Sequence, residues 1–296
     1  MRRRSKKRTH SGPEGFLAVN KPAGMTARAV LNAWLKQIPG KAGMEGVLDP
    51  FANGLLIFGY GNATRYLPYF LNLEKEYVAS LILGTETDTL DKEGEIIKSE
   101  LVPALTEEII KKTLNTFKGE YTTLPPVYSN IRIEGERAHT TARSGGEVNM
   151  QTRTTFIHEI EFLHYDPDTT MLQFRTLVAS GTYIRSLGRD IAKQLGTVGH
   201  LSELSRPRIG PFTIEEALPW PPTEQTAEHL VSAEEMLLFM PVVQVNDEQK
   251  NVLLYGGWIN LESEKGYCRL FCGEEFLGIG ERLGEKVKPE RLLRGA

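Results

Sequence analysis

Apolar positions along this chain follow two rhythms, one of two residues and one of three to four, and the switches between them outline the elements. Phe16-Leu17-Ala18-Val19 reads as a short strand, ended by the turn Asn20-Lys21-Pro22-Ala23-Gly24. Thr26 can cap a helix running through Gln37, with Ala27, Val30, Leu31, Trp34 and Leu35 on one face. Leu55-Leu56-Ile57-Phe58 reads as a buried strand, Ala63 to Leu71 as a short helix and Tyr77 to Leu83 as another strand. A helix is predicted over Leu105 to Phe117, with Ile109, Ile110, Leu114 and Phe117 inward. The rhythm then breaks. Leu124 to Arg153 is rich in Pro, Ser, Gly, Thr and charge, and so long an irregular stretch inside a domain points to function. Strand patterns return at Phe156 to Tyr165 and Met171 to Val178, joined by Asp166-Pro167-Asp168. A helix follows over Thr182 to Leu195, with Ile184, Leu187, Ile191 and Leu195 on its apolar face.

Strands and helices mix without regular βαβ alternation. This predicts an α+β fold with a mixed, largely antiparallel central sheet flanked by helices. Composition sets the boundaries: a basic arm at 1–13, a main domain at 14–232 carrying the irregular insertion at about 124–153, and a small β-rich module at 238–296 after the linker LPWPPT. At 296 residues and 40% hydrophobic the chain can bury a substantial core. No apolar run approaches the roughly 20 residues that span a bilayer, and the start lacks a secretory signal's apolar stretch, so a cytoplasmic location is expected. The net charge of −3 conceals an asymmetry: Arg2, Arg3, Arg4, Lys6, Lys7 and Arg8 stand in an arm without acids, either solvated or tracking phosphates. Cys268 and Cys272 stand alone as C-x3-C, a pattern that fits packing better than metal.

Candidate chemistry centres on Asp49. Pro50 restricts it to extended angles, and Gly46, Ala52 and Gly54 leave the backbone around it open. It is either a turn that starts the next strand or a carboxylate held rigidly at an open surface, as a nucleophile or general base requires. Arg185, Arg189 and Lys193 form a basic stripe on the predicted helix, which is either a solvated face or a set of guanidinium forks for carboxylate or phosphate. Tyr77, Tyr128 and Tyr183 each lie beside polar or small residues, where a phenol can stack on a base. The acidic turn Asp88 to Glu95 lacks the spacing of a calcium loop and reads as an exposed hairpin.

Taken in order, these residues resemble the TruB-type tRNA pseudouridine synthases, the stand-alone bacterial enzymes acting on uridine 55 of the T-arm loop. Asn20-Lys21-Pro22-Ala23-Gly24-Met25-Thr26 is similar to the family's D-K-P-x-G-x-T-S. Lys41 to Gly54 is similar to its K-x-G-H-x-G-T-L-D-P-x-A-x-G loop, and Lys75-Glu76-Tyr77 to K-x-Y. Gly84, Thr87-Asp88-Thr89, Asp91 and Gly94 match G-x-x-T-D-T-x-D-x-x-G; Pro126-Val127-Tyr128-Ser129 and Gly181 to Arg185 complete the set.

The resemblance implies a pseudouridine synthase fold with a PUA-like RNA-binding domain at the C-terminus. It implies Asp49, Tyr77 and Arg185 as catalytic residues. Asp49 would attack the nucleotide at C6 or C1′ or, the route favoured here, take a ribose proton on a glycal path. Arg185 would keep it ionised, and Tyr77 would stack under the flipped uracil. Lys21, Met44, Tyr183 and Leu204 would contact substrate, with Arg132, Arg137, His139 and Arg143 of the insertion on RNA phosphates. The implied partner is the tRNA T-arm stem-loop, bound by a monomer with no protein partner and no membrane. The isomerisation is redox-neutral, so no cofactor and no metal are expected. Three positions depart from the pattern: Met44-Glu45 where the family carries a histidine, Ala27 for a serine, and Ser205-Arg206 for two basic residues.

Overall fold

The computed structural model describes residues 12–129, 132–133, 136–137, 150–222 and 226–293. The first half comprises β1 (Gly15–Lys21), α1 (Ala27–Gln37), β2 (Ala42–Glu45), β3 (Asn53–Tyr60), α2 (Pro68–Leu71), β4 (Lys75–Leu83), β5 (Thr85–Thr87), β6 (Ile96–Ser99), α3 (Glu107–Asn115) and β7 (Gly119–Thr123). After the short pair β8 (Arg132–Ile133) and β9 (Glu136–Arg137) come β10 (Arg153–Asp166), β11 (Met171–Val178), α4 (Ile184–Gln194), β12 (Gly199–Ile209) and β13 (Phe212–Thr213). The C-terminal part holds α5 (Ala233–Met236), β14 (Val242–Gln244), α6 (Asp247–Leu254), β15 (Ile259–Asn260), β16 (Gly266–Cys272), β17 (Glu275–Arg282) and β18 (Lys286–Leu292).

The main sheet has the order β1-β3-β12-β4-β11-β10-β7, with β2 added to β3 and β13 to β12. All its pairings are antiparallel except a two-residue parallel contact, Ser205 opposite Asn53 and Arg206 opposite Gly54. This is the mixed, largely antiparallel sheet the sequence predicts. β3 is buried on both faces, which explains its unbroken apolar run. Leu56 and Phe58 join the main core with α1 and α4, whereas Leu55 and Ile57 join a second cluster on the opposite face.

That second cluster spans both parts of the chain. Phe16, Tyr66, Leu67, Phe70 and Ile209 meet Met236, Leu237, Phe271, Phe276 and Ile279 in it. Tyr69 also meets Tyr267 edge-on at 4.8 Å between ring centroids. The C-terminal strands form their own sheet, β14-β16-β17-β18-β15.

Three local features depart from the sequence reading. β12, next to the sheet's centre, has no clear sequence signal because Pro207 and a register shift between Ser205 and Arg208 interrupt its alternation. The helix expected over Ala63 to Leu71 is a 3-10 turn (Gly61–Arg65) followed by α2, restarted at Pro68. Ile109 is 46% exposed, because α3 buries Ile110 and Leu114 and not its neighbour. Cap geometry follows the sequence at α1, where Thr26 accepts the Ala29 N–H at 3.1 Å.

Candidate active site

The loop Gly46 to Ala52 sits where the β12-side edge of β3 changes partner. β2 covers that edge from Ile57 to Tyr60, and β12 takes it at Asn53 and Gly54. Two glycines make the loop possible. Gly46 has φ +65, and at Gly54, φ +122, a Cβ would lie 2.4 Å from the Arg206 carbonyl oxygen. Asp49 stands at the tip, its backbone carbonyl accepting the Ala52 N–H at 3.2 Å.

Arg185, in the first turn of α4 and 5% exposed, grips this acid with a planar fork. Its Nε lies 2.8 Å from Asp49 Oδ2, and its Nη2 donates to Asp49 Oδ1 at 3.1 Å. Nη1 reaches Asp91 Oδ2 at 3.2 Å and the Thr89 carbonyl at 2.8 Å. Nη2 also donates to the Tyr128 carbonyl at 3.0 Å. One guanidinium therefore joins the loop, the acidic turn and the root of the insertion. The Asp49 side chain remains 37% exposed, facing a cleft of about 460 Å³ lined by Thr26, Arg28, Met44, Leu48, Glu93 and Tyr128, among others.

Desolvation by the surrounding chain pushes the Asp49 carboxyl above the ordinary aspartate value. Arg185 pulls it down, Asp91 adds to the rise, and Lys21 lowers it. The balance leaves an acid whose protonation depends on one arginine. Such an acid can serve as a general base or nucleophile toward a group entering the cleft.

Asp91 is the residue sequence reasoning missed. Its turn read as exposed, yet Asp91 is 4% exposed and accepts from Thr89 Oγ1 at 2.7 Å and from the Glu93 N–H at 3.0 Å. The T-D-T-x-D spacing was its only signal. The predicted basic stripe also divides. Arg185 turns inward, while Arg189 pairs at 2.8 Å with Asp190, which accepts Tyr121 and Thr123 hydroxyls at 2.6 Å each. A larger depression of about 600 Å³ lies on that side of α4, but among its lining groups Arg189–Asp190 and Lys98–Glu100 are already paired.

Of the other expected site residues, Met44 lines the cleft with Asp49 and Arg185. Tyr183 is half-buried, close enough to feel the charges of Arg185 and Asp49. Tyr77 and Leu204 are buried, 8% and 6% exposed, in the core cluster that also carries Leu48. Lys21 does not line that cleft. It is fully buried, its ammonium donating to the carbonyls of Pro22, Pro50 and Ala52 at 2.9, 3.1 and 2.6 Å. The reason is the loop itself, whose inward carbonyls need a donor. Burial lowers the Lys21 pKa to about 8, with Asp49 opposing. Of Arg132 and Arg137 only the backbone is described, in the β8–β9 pair; His139, Arg143 and the basic arm lie outside the described residues.

The fold is that of the pseudouridine synthases. A chain of a solved Cbf5–Nop10–Gar1 complex superposes with TM-score 0.71 at 24% identity, covering 94% of this chain and 84% of that one. A chain from an H/ACA RNP bound to a substrate RNA containing 2′-deoxyuridine gives 0.69 at 23%, with the same coverage. Sequence comparison is more specific. The TruB family pseudouridylate synthase (N-terminal domain) model matches residues 33–184, and that for the pseudouridine synthase II TruB C-terminal region matches 241–293. The tRNA pseudouridine synthase B of Caldanaerobacter subterraneus is 35% identical over 286 residues, covering 95% of this chain and 99% of that protein. The protein of that name from Francisella philomiragia is 37% identical over 276 residues, 90% of each. The chain belongs to the TruB family of pseudouridylate synthases.

Proposed function

We propose that this enzyme isomerises uridine 55 of tRNA to pseudouridine, with Asp49 as the acting acid. The observation that carries the reading is the Asp49–Arg185 fork at the wall of an open cleft. The relatives' name supplies the substrate class, tRNA. The reaction breaks the C1′–N1 bond, forms C1′–C5, and moves a proton from C5 to N1; no electrons are gained or lost, so its balance calls for no cofactor.

The target base has to leave its stack to reach Asp49, at a cost of about a few kcal/mol that new stacking offsets. Asp49, ionised by Arg185, takes a ribose proton on the glycal route. Tyr77, buried in the core cluster that also carries Leu48, supplies the ring against which uracil stacks. Met44 lines the pocket, Tyr183 stands within reach of the Asp49 and Arg185 charges, and the apolar packing behind Leu48 limits water while the base is detached. The enzyme acts alone, as a monomer in the cytoplasm, where tRNA is found.

The test is incubation of the full chain with a T-arm stem-loop, followed by position-resolved pseudouridine detection. Wild type converts the uridine and Asp49→Asn does not. An Asp49→Asn enzyme that converts it at the wild-type rate would falsify the assignment.

A further inference from the structure

Under the active-site loop lie three buried cations whose hydrogen-bond partners among the described residues are all backbone carbonyls. Lys21 is fully buried, Arg206 is 1% exposed and Lys75 is 6% exposed. Lys75 holds the end of α2 through the carbonyls of Phe70, Leu71 and Leu73. Lys21 holds the middle of the loop. Arg206 does something different, because it lies at the break in the edge of β3.

On that edge β2 ends opposite Ile57, and β12 begins opposite Gly54. Among the described residues no strand pairs with Leu55 there. The Arg206 side chain occupies this gap. Its Nε and Nη2 both donate to the Leu55 carbonyl, at 3.0 and 2.9 Å, and Nη2 donates to the Gly46 carbonyl at 2.6 Å. The backbone of the same residue pairs with Gly54. Arg206 therefore touches the residues where the loop leaves β2 and where it enters β3, and Asp49 lies between them.

A charge buried without a counter-ion is an expensive way to satisfy two carbonyls if folding is the only requirement. Its planar fork fixes a distance that a single donor cannot. We propose that Arg206 is a positioning residue of the reaction: by bridging Gly46 and Leu55 it closes the loop at its base and sets where the Asp49 carboxylate sits. Arg185 aims the carboxylate from α4, and Arg206 fixes the loop beneath it. The proposal rests on Asp49 as the acting acid.

The experiment uses the full chain, a T-arm stem-loop as probe, and single-turnover conversion across enzyme concentrations, which separates half-saturation from the limiting rate. Arg206→Lys retains the charge but not the fork; Arg206→Met removes both. Leu277→Ala, in the buried core of the C-terminal sheet, provides a chain destabilised in a core cluster separate from that of the loop. Misplacement of Asp49 by about 1 Å lowers the limiting rate by about 10- to 100-fold in Arg206→Lys, and further in Arg206→Met. Half-saturation stays within about 2-fold, because substrate binding is not what was lost. Leu277→Ala keeps the wild-type rate when assayed below its melting temperature. A wild-type limiting rate in Arg206→Lys overturns the proposal. So does a loss confined to half-saturation, or an equal loss of rate in Leu277→Ala. If Arg206→Met does not fold, the lysine variant alone decides. An active Asp49→Asn enzyme would sink the functional reading itself; an inert one beside an unimpaired Arg206→Lys would sink only this proposal.

Discussion

Removing Arg185 while keeping its bulk, as Arg185→Met, tests the arrangement most directly. The wild-type guanidinium lies within 3.2 Å of two carboxylates, Asp49 and Asp91. The methionine leaves both acids near one another with no cation between them. The Asp91 side of this loss counts almost in full, since Asp91 and Arg185 side chains are 6% and 5% exposed. Breaking such a buried pair costs about 3–5 kcal/mol of stability. The Asp49 side must be discounted, because 37% of that side chain faces water. Losing its two charge-assisted hydrogen bonds then weakens the transition state by about 1.5–3 kcal/mol, or roughly 10- to 150-fold in rate.

The sign of the pH effect distinguishes this account from simple damage. Arg185 holds the Asp49 carboxyl down against desolvation and against Asp91. Without it the carboxyl rises further, and the ionised form appears only at higher pH. The acid limb of the single-turnover rate therefore moves to higher pH, and the ratio of variant to wild type grows as pH rises. Adding Asp91→Asn to Arg185→Met removes the repelling charge, moves the limb back down and recovers part of the rate. A ratio independent of pH, or a double variant slower than Arg185→Met alone, would refute the reasoning.

Two further outcomes are expected. Desolvation opposes ionisation of Asp190, but hydrogen bonds from Arg189, Thr123 and Tyr121 outweigh it and hold its carboxyl below the ordinary range. Asp190→Asn should lose about 1.5–3 kcal/mol, read as a lower melting temperature at neutral pH. Because the folded carboxyl is depressed, that gap closes as pH falls through its folded value; a gap that widens in acid contradicts the assignment. RNA affinity should fall log-linearly between roughly 50 and 200 mM salt, as phosphate contacts require, and a flat binding isotherm series would exclude an RNA-gripping surface.

The parts legible in the sequence were those with local signatures. The apolar run in β3 marks a strand buried on both faces, and α4 shows its face at Ile184, Leu187 and Ile191. Asp49 and Arg185 were found because their motifs recur in order, not because spacing alone brings them together. What was missed depends on contacts without a local pattern. Arg206 reaches Leu55 across 151 residues of chain, and nothing near Pro207 announces a central strand. Asp91 looked like a solvated acid in an acidic turn until Arg185 was placed against it. The burial of Lys21 had no local signal either, and only the fold reveals the carbonyls that draw it inward.

The apolar seam shared by the two sheets has a practical consequence for anyone dissecting this enzyme. Phe271, Phe276 and Ile279 share a cluster with Tyr66, Leu67 and Phe70, and through Leu55 and Ile57 the same seam backs β3, the strand that the Asp49 loop leads into. A truncation that removes the C-terminal sheet strips the reverse side of the strand that anchors the catalytic loop. Lost activity in such a deletion cannot be attributed to a missing RNA foothold. The contribution of that module to substrate capture has to be measured by exchanging single surface side chains with the seam left closed.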